Sequence, residues 1–218
     1  MSRVTVSPDL LLDRLARRRT LAIVRGHDPD AAAACVGVLA EEGMDVVEVS
    51  LSSTDALRVL REARAGLDDD VLLGAGTVRT VAELDAAVAA GAQFAVSPAF
   101  NEVAFEAQRR GLPVLPSVLS STELDHALHA GFPVLKLFPA SFGGPRYVRA
   151  LLDPYPHARL VPVGGVELDL APAYLEAGSL AVGVGSPLVG DAADGGSLSE
   201  LRSRVRRLMT ALEAGARA

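Results

Sequence analysis

Lysine is almost missing from this chain. Of 21 basic residues in 218, 20 are arginine and one is lysine, Lys136. A chain that uses arginine for its surface cations leaves its single lysine in need of a separate explanation. Cysteine is as scarce: Cys35 stands alone, which excludes an internal disulfide framework and suits a reducing cytoplasm. Positive charge is not in excess either. The formal net charge is -6 and the sequence pI is about 5.2, which argues against a nucleic-acid partner. No apolar run is long enough to span a bilayer, because the region 170–190 is cut by Glu176 and several glycines. Asp9, Asp13 and Arg17 to Arg19 break any apolar core that a signal peptide would need. No linker or low-complexity segment is visible before about residue 190. Half of the residues are hydrophobic and 22% are charged, enough apolar surface for a sizeable core. The expectation is one domain over 1–218.

What is present is a recurring unit: a short apolar run, a loop, then an amphipathic stretch. The runs are Leu21–Arg25, Val46–Leu51, Leu72–Thr77, Phe94–Pro98, Pro113–Val118, Val134–Pro139, Leu160–Gly165 and Leu180–Ser186. Short runs rich in Val, Leu and Ile read as strands buried on both faces. Helices are expected at Asp30–Glu42, Thr80–Ala90 (a Thr80/Glu83 capping box), Ser121–Ala130 and Asp169–Ala177, each stopped by a glycine. Ser7 and Pro8 predict an extra helix over 8–19 before the first strand. Residues 191–218 read as a loop and a closing amphipathic helix over 198–215. Eight strand–helix units imply parallel strands with right-handed crossovers. The predicted fold is α/β, a (β/α)8 TIM barrel with an extra N-terminal helix. A doubly wound open sheet is the alternative. It lacks its Gly-x-Gly-x-x-Gly signature, because Arg25-Gly26-His27 follows the first strand instead.

Two charged residues fall inside these strands. Lys136 lies within Val134-Leu135-Lys136-Leu137-Phe138-Pro139, where lysine is disfavoured. Glu48 lies within Val46-Val47-Glu48-Val49-Ser50-Leu51, sharing a face with Val46 and Ser50 at period 2. They read either as a core ion pair or as chemistry. In the second reading desolvation frees the lysine lone pair to attack a carbonyl, and Glu48 acts as general acid and base. The last two strands end in Val163-Gly164-Gly165-Val166 and Gly183-Val184-Gly185-Ser186. Such ends make tight turns, or let backbone N–H groups reach phosphate oxygens beside a following helix N-terminus. Thr77 reads as a strand-end cap or as a donor to a substrate oxygen. Arg25, ending the first strand, reads as a surface cation or as a clamp for a carboxylate. His126 and His129 have no companion at ligand spacing, so no metal is expected. Cys35 sits in an alanine-rich helix and reads as core.

Lys136 and its surroundings, Gly131-Phe132-Pro133-Val134-Leu135-Lys136-Leu137-Phe138-Pro139-Ala140 running on to Gly144, resemble the Schiff-base segment of the class I 2-keto-3-deoxy-6-phosphogluconate (KDPG) aldolases. That family includes the 4-hydroxy-2-oxoglutarate (KHG) aldolases and the 6-phosphogalactonate homologues. Gly43-Met44-Asp45-Val46-Val47-Glu48-Val49 resembles its catalytic-glutamate segment. Gly74-Ala75-Gly76-Thr77-Val78, Val96-Ser97-Pro98, Val163-Gly164-Gly165 and Gly185-Ser186 are similar to further motifs. The resemblance runs from about Leu21 to Val189.

The resemblance implies Lys136 as the Schiff-base residue and Glu48 as the acid/base. It implies substrate contacts at Arg25, Thr77, Pro98 and Phe138, and phosphate contacts at Gly164, Gly165, Gly185 and Ser186. It implies a cytoplasmic homotrimer without a cofactor, acting in the Entner-Doudoroff route. The substrates would be a 2-keto acid, pyruvate, and a phosphorylated aldehyde. Two positions depart from the family. Ser52 stands where many members have an arginine, and Ser117 follows Pro116 where members often have glycine. The expected reaction is reversible cleavage of KDPG to pyruvate and glyceraldehyde 3-phosphate. Alternatives are the galactonate epimer or KHG as substrate, another phosphate-binding barrel enzyme, and a non-catalytic sugar-phosphate-binding barrel.

Overall fold

The computed structural model describes residues 6–215. Ser7 and Pro8 do start a helix: α1 runs Pro8–Arg18, with Ser7 Oγ accepting from the Leu10 N–H. Arg19, at φ 58°, ends it by stepping into left-handed backbone. Strands and helices then alternate as β1 (Thr20–Val24), α2 (Pro29–Glu41), β2 (Val46–Ser50), α3 (Ala56–Gly66), β3 (Leu72–Gly76), α4 (Val81–Ala89), β4 (Phe94–Val96) and α5 (Glu102–Arg109). The second half carries β5 (Val114–Leu115), β6 (Ser117–Val118), α6 (Ser121–His129), β7 (Leu135–Leu137), α7 (Gly144–Leu152), β8 (Leu160–Pro162), α8 (Ala171–Glu176), β9 (Val182–Val184), α9 (Ser186–Val189) and α10 (Leu198–Gly215).

All strand pairs are parallel. They form a six-stranded sheet in the order β5-β4-β3-β2-β1-β9 and a three-stranded sheet in the order β6-β7-β8. The fifth expected strand is therefore divided, and the division falls at Pro116. Proline has no N–H to give to a ladder, although its carbonyl accepts from the Lys136 N–H at 3.0 Å. Between β8 and β9 the pairing narrows to one parallel bridge, Val163 with Gly183, beside a Leu180 N–H bond to the Leu160 carbonyl at 2.9 Å. The eight expected runs thus appear as a curled parallel sheet in two ladders rather than as one continuous ring.

The strands separate two apolar cores. The outer one packs the helices against the sheet and contains Cys35, which is fully buried. The inner one gathers alternate strand residues, among them Leu21, Ile23, Val46, Leu72, Phe94, Val96, Leu115, Val134, Val161 and Val163. Leu11 and Leu15 of α1 complete this inner core from the strands' N-terminal end. Arg14, Arg17 and Arg18 of α1 converge on Asp45, just before β2, at 3.1, 2.5 and 3.2 Å.

The expected capping box at α4 forms in part, and a complete one stands at α6. At α6 the box is complete, with Ser120 as the cap residue and Glu123 reaching back to it. At α4 Thr80 accepts from the Glu83 N–H, while the Glu83 carboxylate also holds the N–H and guanidinium of Arg79. The region expected as a helix over Asp169–Ala177 opens with a 3-10 turn, Leu168–Leu170, before α8.

Candidate active site

Period-2 alternation places Val46, Glu48 and Ser50 on one face of β2. Val46 enters the inner core, and Glu48 follows one step nearer the strands' C-terminal end. Val134, Lys136 and Phe138 repeat the pattern, with Val134 in the same core. Lys136 is 6% exposed and Glu48 is 2% exposed, so both chargeable groups sit in a low-dielectric setting. A cavity of about 240 Å³ opens above the inner core. All ten residues singled out in the sequence line it: Lys136, Glu48, Arg25, Thr77, Pro98, Phe138, Gly164, Gly165, Gly185 and Ser186. Ile23, Val163 and Val166 supply apolar wall.

Burial shifts both central groups toward their neutral forms. It pushes the Lys136 ammonium below the ordinary lysine range, against the opposing attraction of Glu48. It pushes the Glu48 carboxyl above the ordinary carboxylate range, against the pull of Lys136 and Arg25. Lys136 Nζ stands 4.9 Å from the centroid of the Phe138 ring, and Glu48 Oε2 is buried with no hydrogen-bond partner. A saturated core ion pair would not leave that oxygen unpartnered. Room for the carboxylate comes from a missing side chain, because a Cβ at Gly76 would overlap Glu48 Oε1.

Thr77 follows Gly76 at φ 60°, a conformation that β-branched residues rarely adopt. Its Oγ1 meets Ser50 Oγ at 2.8 Å, and Ser50 Oγ meets Ser52 Oγ at 2.8 Å. This chain of three hydroxyls includes Ser52, the first of the two departures from the resemblance. Sequence reading missed it. The one available signal was that Ser50 shares the Glu48 face. Ser117, the second departure, is buried beside Lys136 in register and donates to the Ser97 carbonyl at 2.6 Å.

The glycine edge has a geometry that only glycine accepts without strain. Gly164 and Gly165 have φ of 89° and 75°. A Cβ on Gly164 would meet the Phe138 ring, and one on Gly165 would meet the Ser141 side chain. Gly164 follows the Val163–Gly183 bridge, and among the described residues the Gly165 N–H donates to no backbone carbonyl. The helix expected after Gly185-Ser186 is only one turn, α9, so its dipole is small.

A family model for KDPG and KHG aldolases matches residues 11–200. The chain belongs to that family. It is 38% identical over 170 residues to a 2-dehydro-3-deoxy-phosphogluconate aldolase of Treponema pallidum, covering 76% of this chain and 79% of that protein. It is 37% identical over 170 residues to a 2-dehydro-3-deoxy-6-phosphogalactonate aldolase of Escherichia coli, covering 77% and 83%. Among solved structures it resembles a 4-hydroxy-2-oxoglutarate/2-dehydro-3-deoxyphosphogluconate aldolase from TTHB1, with a TM-score of 0.81, 40% identity and coverage of 95% and 99%. It also resembles a KDPG aldolase of Legionella pneumophila solved with pyruvate captured as a covalent carbinolamine. There the TM-score is 0.79 and the identity 27%, covering 94% of this chain and 98% of that one.

Among the described residues no three His, Cys, Asp or Glu side chains converge as metal ligands do. His129 instead lies 3.4 Å from Asp125 on the exposed side of α6. No helix among them is long and apolar enough to cross a membrane.

Proposed function

We propose that this aldolase reversibly cleaves 2-keto-3-deoxy-6-phosphogluconate to pyruvate and glyceraldehyde 3-phosphate through a Schiff base on Lys136. The observation that carries the reading is the meeting of the only lysine with a buried strand glutamate in one cavity edged by glycines. The neutral amine of Lys136 attacks the C2 ketone to give a carbinolamine, and loss of water gives the iminium. Glu48 gives and takes the protons of these steps, directly or through water. The C4 hydroxyl then gives up its proton, the C3–C4 electron pair moves toward the iminium nitrogen, and the aldehyde leaves. The enamine takes a proton at C3, and hydrolysis returns pyruvate and the free amine. The iminium is the electron sink, so the chemistry asks for no metal or cofactor. The carbinolamine in the Legionella relative supports this sequence of steps.

Thr77, oriented by Ser50, holds the pyruvyl carboxylate, with Arg25 supplying the positive charge that Ser52 lacks. Phe138 and Pro98 pack beside the reacting carbons. Gly164, Gly165, Gly185 and Ser186 take the phosphate, so that binding energy far from the bond being broken positions the reacting atoms.

The wider reading is a single-domain chain whose two ladders are arcs of one (β/α)8 barrel. Support comes from the Val163–Gly183 bridge and from the inner core that draws on every strand run. Family resemblance supports a homotrimer working in the cytoplasm on the Entner-Doudoroff route, and the acidic net charge argues against a nucleic-acid partner. A second substrate, the galactonate epimer, is favoured by the near-equal identity to relatives of both names.

The test is pyruvate release from KDPG, its galactonate epimer and KHG by the wild type, Lys136→Ala and Lys136→Arg. The expected result is highest kcat/KM on KDPG, and a loss of at least about 1000-fold in both variants with the fold intact. Turnover near the wild-type rate in either variant contradicts the mechanism. A higher kcat/KM on the epimer transfers the assignment to the second substrate.

A further inference from the structure

We infer that Arg204, on the closing helix and outside the cavity, is a positioning residue for the phosphate arm formed by Gly185 and Ser186. The inference rests on the phosphate assignment above. The arm continues into α9, a single turn, and one turn of helix has little stability of its own. Its last carbonyls have no intrahelical partners. Arg204 supplies them: Nε donates to the Leu188 carbonyl at 2.6 Å and Nη2 to the Val189 carbonyl at 2.7 Å. A guanidinium is a planar fork of fixed geometry, so two such bonds fix an orientation as well as a distance.

The turn transmits this hold to the arm. Leu188 and Val189 donate their N–H groups to the Gly185 carbonyl, each at 2.9 Å, and Gly190 donates to the Ser186 carbonyl at 2.8 Å. Any shift of Leu188 or Val189 therefore shifts Gly185 and Ser186. Gly190 keeps the slot open, since at φ 60° a Cβ there would meet the guanidinium. The other end of the lever is rigid. Leu201, Val205 and Leu208 bury one face of α10 in the outer core. Arg202 and Arg206 tie the same helix to Glu42 at the end of α2. Among 20 arginines nothing in the sequence distinguishes Arg204. Its role follows from reaching the two carbonyls that end α9.

The experiment compares KDPG with unphosphorylated KHG in the wild type, Arg204→Met and Arg204→Lys. A wild type without a lower KM for the phosphorylated substrate overturns the phosphate assignment itself, whatever the variants do. Given that preference, Arg204→Met raises KM for KDPG about tenfold and leaves kcat/KM on KHG unchanged. Borohydride trapping of pyruvate on Lys136 also stays at the wild-type level. Arg204→Lys, with one bond in place of two, falls between and keeps the test open if the Met variant does not fold. An unchanged KM for KDPG in a folded variant overturns the inference. So does an equal loss on both substrates, which marks Arg204 as structural only.

Discussion

Glu48 and Lys136 are held where water would otherwise stabilise their charges, and this has a cost that titration reveals. Burial makes the folded Glu48 carboxyl keep its proton above the ordinary carboxylate range. The folded state therefore binds more protons there than the unfolded state, and stability falls as pH rises through that window. Lys136 works the other way. Burial makes it release its proton below the ordinary lysine range, so its contribution rises with pH toward that range. Glu48→Gln removes the buried charge while keeping the shape. By urea unfolding it is expected to be about 1 kcal/mol more stable than the wild type at pH 8. The difference shrinks as pH falls through the ordinary carboxylate range, below which Glu48 is neutral in both folded and unfolded chains. A difference that does not change with pH would contradict the buried-charge account. Lys136 and Glu48 were legible in the sequence because each is a charge inside an apolar strand run. The Ser52–Ser50–Thr77 hydroxyl chain was not, because it joins residues 27 positions apart through strand register.

Elements show the same division between local and long-range information. Helix ends were legible where a cap residue or a positive-φ glycine acts on its immediate neighbours, as at Thr80 and Gly131. The break at Pro116 follows from the chemistry of one residue, yet the fifth run still reads as continuous when only its apolar pattern is counted. The extra helix α1 was legible from Ser7 and Pro8. Its task was not, since the inner core it completes exists only once the sheet has curled. Leu15 is fully buried there, and Leu15→Ala is expected to lower stability by about 3 kcal/mol. Pyruvate trapping should stay intact below the transition temperature, because α1 lies at the strands' opposite end from the cavity. Chemical denaturation measures the first effect. A loss under about 1 kcal/mol would show that Leu15 does not pack in the inner core.

Across the whole molecule, stability and chemistry occupy opposite ends of the same strands. The N-terminal ends are filled by α1 and tied by three arginines on Asp45. The C-terminal ends leave a cavity with an unsatisfied carboxylate oxygen, a strained threonine and two left-handed glycines. Parallel α/β folds concentrate active sites at that end. Lys136 as the covalent residue is testable in one step because the chain holds a single lysine. Incubation with pyruvate and borohydride, followed by peptide mass spectrometry, has one lysine to find. The expected product is a reduced pyruvyl adduct on the peptide containing Lys136. A folded protein that gives no adduct there would remove the lysine from the mechanism and contradict the Schiff-base assignment.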